Sequence, residues 1–274
     1  MTASTSVSTP DSAERRAPRA DCIADSAGGL TFDLAGAGAP DAVLVLKRRG
    51  STDPADETRL PLTPSGEGTS RAVLPSTVEL AEGHWDVYTD DEPVEPGSRD
   101  LRALVDRAPD ADRVAARVPY PTAGGHLTVR SWLRAPHAEA GDIGLAAERG
   151  AITVEGMLYG AELAEGAVAE ARLRTGDRDA DRVHAVPVRG EGRSFGFTLT
   201  YGPMAEKSVA KEQLWELWLR PAADAPGIRI SRILDDIWDK KGIFVYPRLV
   251  AGKCRAAACY TSDNDLCVRI TVAN

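Results

Sequence analysis

From Gly28 onward the chain alternates short apolar runs with Gly, Pro and Asp. Leu30–Leu34, 42–47, 58–62, 70–74, 84–88, 100–105 and 126–133 recur at roughly ten-residue spacing, each five to eight residues long. Runs of that length between turn residues predict antiparallel strands packed face to face as a sandwich. Apolar positions never hold a helical period over three turns, so no long helix is expected.

A second series begins at Ala151 and repeats the first: 152–158, 167–174, 182–189, 194–201, 214–220, 228–234, 243–246 and 266–272. Trp85, Asp86, Val87 and Tyr88 are answered by Trp215, Glu216, Leu217 and Trp218 at an offset of 130 residues. The same offset links Pro96, Gly97, Arg99, Arg102, Leu104 and Asp106 to Pro226, Gly227, Arg229, Arg232, Leu234 and Asp236. Lys47 to Gly50 matches Arg172 to Gly176, Gly66–Gly68 matches Gly190–Gly192, Tyr120-Pro121 matches Tyr246-Pro247, and Leu127–Arg130 matches Leu266–Arg269. The expected fold is therefore all-β: two tandem immunoglobulin-like antiparallel β-sandwich domains. The divisions expected are a disordered leader over 1–27, repeat 1 over 28–134, an Ala/Gly/Glu linker over 135–150 and repeat 2 over 151–274. In the second copy, residues 248–263 read as an insertion between Tyr-Pro and the last strand.

Composition narrows the function classes. A net charge of −8 over 274 residues argues against nucleic acid and anionic lipid as partners, because both need concentrated basic charge. No apolar run is long enough to span a membrane. The first 22 residues carry charges where a signal peptide needs an apolar stretch, so a cytoplasmic location is expected. Cys22, Cys254, Cys259 and Cys267 are placed too unevenly to staple two repeats and read as reduced thiols.

A residue present in both copies most simply serves the shared scaffold, whereas one present in a single copy is free to act. That rule makes Trp85 and Trp215 core anchors. It also makes Arg102/Asp106 and Arg232/Asp236 structural ion pairs. Asp263-Asn264-Asp265 has the spacing of a cation-binding DxD but reads as an Asp/Asn turn, and Cys254, Cys259 and Cys267 lack zinc-knuckle spacing. No catalytic residue, metal or cofactor is assigned. Trp238 differs in kind, because it lies in the charged loop Asp235–Lys241 where the first copy has no aromatic. It suits stacking on a sugar ring or anchoring a partner; plugging the end of a sandwich or the seam between domains is the simpler alternative. The ligand or partner residues expected are Trp238, Asp239, Lys240 and Lys241, with Trp218 on an adjoining strand face.

The run from Ile228 to Pro247, IRISRILDDIWDKKGIFVYP, with WDVY and WELWLRP upstream and NDLCVRI near the end, resembles β-sandwich modules of actinobacterial cell-surface polymer transferases. Those proteins join such modules to glycosyltransferase or CDP-glycerol glycerophosphotransferase-like catalytic domains, and no such α/β domain is expected within residues 1–274. The resemblance implies a non-catalytic accessory protein that binds a glycosyltransferase-type enzyme or its glycan or polyol-phosphate substrate. Two alternatives stay open. One is a small transferase for a nucleotide-activated sugar or CDP-polyol, with Arg232, Asp235, Asp236, Asp239 and Lys240 at the domain seam; the other is a spacer without a ligand.

Overall fold

The structure, a computed structural model, describes residues 17–36, 42–174, 182–206 and 212–273. In the first half the strands are β1 (Arg19–Ala24), β2 (Leu30–Ala35), β3 (Val43–Arg48), β4 (Glu57–Pro61), β5 (Thr63–Gly66), β6 (Thr69–Leu74), β7 (Gly83–Thr89), β8 (Glu92–Pro93), β9 (Glu95–Asp100), β10 (Val114–Pro121) and β11 (Leu127–Arg134). In the second half they are β12 (His137–Ala146), β13 (Ala151–Tyr159), β14 (Val168–Leu173), β15 (Val183–Pro187), β16 (Arg189–Glu191), β17 (Ser194–Thr200), β18 (Gln213–Arg220), β19 (Ile228–Ser231), β20 (Leu249–Ala251), β21 (Cys254–Tyr260) and β22 (Leu266–Val272). Two one-turn helices, α1 (Gly202–Ala205) and α2 (Lys240–Ile243), interrupt the second half. Among the described residues no helix is long and apolar enough to cross a membrane.

The two halves share one topology. The first half orders its strands β5-β6-β2-β1-β9 in one sheet and β10-β11-β7-β3-β4 in the other. The second orders them β16-β17-β13-β12-β19 and β21-β22-β18-β14-β15, with β20 added beyond β21. In each half the first strand lies parallel to the strand before the long connection, β1 beside β9 and β12 beside β19. Register supports the aligned residues: Val129 faces Trp85 and Val268 faces Trp215, while Arg48 and Leu173 face the same two tryptophans from the other side.

Alternation builds a core in each half. Trp85, Val87, Phe32, Leu34, Leu44 and Leu46 close the first, and Trp215, Leu217, Phe195, Phe197, Val268 and Ile270 close the second. Both tryptophans are almost fully buried, and the Trp85 indole donates to the Ala81 carbonyl at 3.0 Å. Close approach accounts for the glycine of the first Pro-Gly pair, where a Cβ on Gly97 would collide with the Asp21 carboxylate and the Ala20 carbonyl; one on Gly227 would meet only the movable Arg172 guanidinium.

Four expectations are corrected. Residues 19–24, assigned to the leader, are β1, and 137–146, assigned to the linker, are β12; residues 1–16 lie outside the described residues. Both missed strands open a domain and bury small side chains, Ala20, Cys22 and Ala24 in one and Ala138 and Ala140 in the other, which leave no large apolar run. The counterpart of β10 is β21, so Tyr260 rather than Tyr246 stands at the end of that strand, and the added segment precedes β21. Finally, the repeated Arg/Asp ion pair does not form. Arg102 pairs with Asp100 at 2.6 Å and Arg232 with Asp235 at 3.1 Å.

Replacing Trp85 with Ala is expected to lower stability by about 3–5 kcal/mol, the cost of emptying a buried aromatic site. Arg102→Ala, at a side chain 88% exposed, is expected to leave the urea midpoint unchanged. A destabilised Arg102 variant would return that arginine to the scaffold.

Candidate functional site

The connection from β19 to β21 crosses to the first domain, and the turn between β21 and β22 holds it there. Thr261 Oγ1 accepts the N–H groups of Asp263 and Asp265 at 3.2 and 3.1 Å, and Asn264 takes a left-handed φ of 61°, which asparagine tolerates. Each residue of this Asp263-Asn264-Asp265 turn then has a separate task. Asp263 accepts from Arg130 of β11 at 3.0 Å, and its carbonyl accepts from the Trp132 indole at 3.3 Å. Asn264, fully buried, donates to the carbonyls of Ile237 and Trp238 and accepts the Lys240 N–H at 3.1 Å.

Asp265 is 1% exposed and joins the domains. Its Oδ1 accepts from Arg134 of β11 at 3.2 Å and Ser231 at 2.6 Å, while Oδ2 accepts from Arg229 of β19 at 2.8 Å. Glu82 completes the charge balance by accepting from Arg134 at 2.8 Å. One buried carboxylate is thus held by one arginine from each domain.

The crossing segment, Arg232–Asp239, is fixed at both ends. Glu139 of β12 accepts the N–H groups of Ile233 and Leu234 at 2.9 Å and meets His137 Nε2 at 2.7 Å. Ile233 enters the first core, with Leu234 and Trp238 packed beside it. Trp238 stacks on Tyr120 of β10, with ring centroids 4.3 Å apart and planes 18° from parallel. The Tyr120 hydroxyl lies 2.6 Å from His84 Nδ1. Burial pulls the His84 pKa down, and the nearby Arg130 and Arg49 charges pull it further, against Asp263 and Asp86.

Beside Trp238 is a cavity of about 400 Å³. Gly97, Ser98, Arg99, Leu101 and Arg102 line it from the first domain, and Asp236, Ile237, Trp238 and Ile243 from the second. Among the described residues the Arg99 guanidinium makes one long contact, 3.5 Å to the Pro119 carbonyl, which leaves most of its donors open to a ligand.

The expected site residues separate. Trp238 lines the cavity, with one face taken by Tyr120. Asp239 precedes α2 and is half-buried, and Lys241 is exposed on α2. Lys240 is corrected as a surface contact: it is fully buried, and its Nζ donates to Asp235 at 2.5 Å and to the Ile237 carbonyl at 2.8 Å. Burial lowers its pKa and the Asp235 charge opposes that shift. Trp218 belongs to a different surface, on β18 between Arg172 and Arg229, whose guanidinium carbons lie 4.5 and 4.8 Å from its ring. Arg99, Tyr120 and Asp265 were missed. For Asp265 a signal existed in the sequence, since the matching turn of the first domain, residues 122–126, has no carboxylate. Among the described residues no group of three or more His, Cys, Asp or Glu is arranged to hold a metal ion.

The chain matches no protein-family model and no curated protein sequence. Among solved structures, residues 217–571 of S. aureus TarS are 13% identical, at a TM-score of 0.28, over 73% of this chain and 59% of that one. Longer S. aureus TarS is 14% identical at 0.28, over 67% of this chain and 35% of that one. Pullulanase from Anoxybacillus sp. LM18-11, complexed with maltotriose, is 10% identical at 0.26, over 76% and 24%. The chain spans less than two thirds of each of these, and no TM-score reaches the level of a shared fold.

The His84 environment sets a pH dependence. Its folded pKa lies below the ordinary 6.5, so the folded state binds fewer protons than the unfolded one. Its contribution is whole above about 6.5 and is lost as pH falls from there through the folded value. Urea midpoints at about pH 7.5 and about pH 5.5 are expected to differ less in His84→Gln than in the parent protein. Equal differences would remove His84 from the acid response.

Proposed function

We propose that this protein is a non-catalytic binding protein associated with carbohydrate or polyol-phosphate polymer synthesis, taking its ligand in the seam cavity beside Trp238. The observation that carries the reading is the cavity's composition. It combines an indole already held by Tyr120, an arginine with open donors, a serine and a carboxylate, Asp236. An aromatic ring packs against the C–H face of a sugar or polyol, Asp236 and Ser98 suit hydroxyl groups, and Arg99 suits a phosphate. The resemblance of 228–247 to modules of polymer transferases supports the same ligand class. Because Tyr120 holds the indole and Asn264 holds the Trp238 backbone carbonyl before binding, little ordering cost remains. A glycosyltransferase-type enzyme as partner and a cytoplasmic setting belong to this proposal, the latter supported by four free thiols.

The transferase alternative is less favoured by the geometry. Arg232 and Lys240 both bond to Asp235, so three of its five residues neutralise one another.

Titration calorimetry against a panel of glycans and polyol phosphates is expected to find a binder. Trp238→Ala should then weaken it by about 2 kcal/mol, roughly thirtyfold, as loss of a central aromatic contact does. A folded Trp238→Ala protein with unchanged affinity, or a panel without a binder, would overturn the reading.

A further inference from the structure

The chain's negative charge conceals a face of the opposite sign. On the sheet β21-β22-β18-β14, alternate residues point away from the core, and these include Arg172, Arg174, Arg220, Arg255 and Arg269, with Arg229 of β19 beside them. Two carboxylates on the same face are recessed, and a third, Glu212, stands 56% exposed beside Arg269. Glu170 is 9% and Glu216 14% exposed, whereas Arg172, Arg174, Arg220, Arg229 and Arg269 are 34–49% exposed above them. Away from Glu212, solvent therefore meets guanidinium groups, with Glu170 and Glu216 beneath holding them upright. Glu216 takes Arg174 at 2.5 Å and Arg229 at 3.2 Å, and Glu170 takes Arg172 at 2.7 Å. Each such pair leaves N–H donors free, because a guanidinium has five.

We propose that this face binds a linear polyanion, independently of the Trp238 cavity. Arg174, Arg269 and Arg255 run obliquely across β14, β22 and β21. Arg174 and Arg269 flank Leu214 of β18, and Arg255 lies one outward position beyond Ala257, the partner of Arg269. Strand spacing and rise set such steps at roughly 8–10 Å. That is a row of charges for a chain bearing repeated anions, not a pocket for a single one. Arg255 has no carboxylate partner among the described residues, and Arg269 only the long contact to Glu212 at 3.4 Å, so these two are the freest. Trp218, clamped between Arg172 and Arg229, keeps both guanidinium planes fixed and does not stand proud as a bilayer anchor would. Charges more than a Debye length away, about 8–10 Å, are screened, so the acidic remainder of the chain does not cancel this field.

The equivalent face of the first domain cannot act in the same way. Lys47, Arg49 and Arg130 match Arg172, Arg174 and Arg269, but Arg130 is 7% exposed and held by Asp263. The seam covers one copy of the face and leaves the other open.

The test uses heparin and inorganic polyphosphate as probes, with inorganic phosphate as the monomeric control, at stepped salt concentrations. Both polymers are expected to bind and to weaken steeply as salt rises, and inorganic phosphate is expected not to compete. Arg255→Gln with Arg269→Gln should lower the slope of log affinity against log salt by about two at an unchanged unfolding midpoint. Trp238→Ala should leave polymer binding as it was, which separates this face from the cavity. No polymer binding at low salt, an unchanged slope in the folded double variant, or binding only to phosphatidylglycerol vesicles would each overturn the proposal.

Discussion

The structure depends on burying one carboxylate without leaving it unpaired. Asp265 sits at 1% exposure, where an ionised group is tolerated only if opposing charge and hydrogen bonds replace its water. Arg134, Arg229 and Ser231 supply them, and Arg134 belongs to the first domain while the other two belong to the second. The charge balance of Asp265 is therefore complete only when the domains meet in one arrangement. Asp263 and Asn264, its neighbours in the same turn, extend that constraint to Arg130 and to the backbone of the Trp238 segment.

Position along the chain explains why this falls to the second copy. Both domains carry the same strand order, yet the β10–β11 turn of the first contains only Thr122, Ala123, Gly124, Gly125 and His126. The corresponding turn of the second has acquired two aspartates and an asparagine, and its β19–β21 connection has lengthened enough to reach the neighbouring core. A shared scaffold thus became an asymmetric pair: one sheet face is closed by Trp238 and Asp263, and the matching face of the other domain stays open with its arginines exposed.

Much of this was legible in the sequence. Period-two alternation around Trp85 and Trp215 gives the strands, their core faces and the repeat, because large side chains write an unmistakable pattern. β1 and β12 were hidden because their buried positions hold Ala and Cys, whose alternation against charged residues looks like a polar leader or linker. Trp238 stood out as an aromatic without a counterpart, but its stacking partner, Tyr120, is distant in sequence and could be found only in the fold. Lys240 misled for a related reason: a lysine in a charged loop reads as solvated, and only tertiary structure places Asp235 and the Ile237 carbonyl around its ammonium. The arginine face was masked by net charge, which sums over acids that the fold tucks beneath the guanidinium groups.

The central claim is that Asp265 locks the crossing segment, and through it the cavity, to the first domain. Amide hydrogen exchange measures that most directly, since the N–H groups of Ile233, Leu234 and Lys240 are bonded to Glu139 and Asn264. In Asp265→Ala the account predicts that these three amides lose protection together while the strands around Trp85 and Trp215 keep theirs. Protection at the three amides equal to that of the parent protein would contradict it.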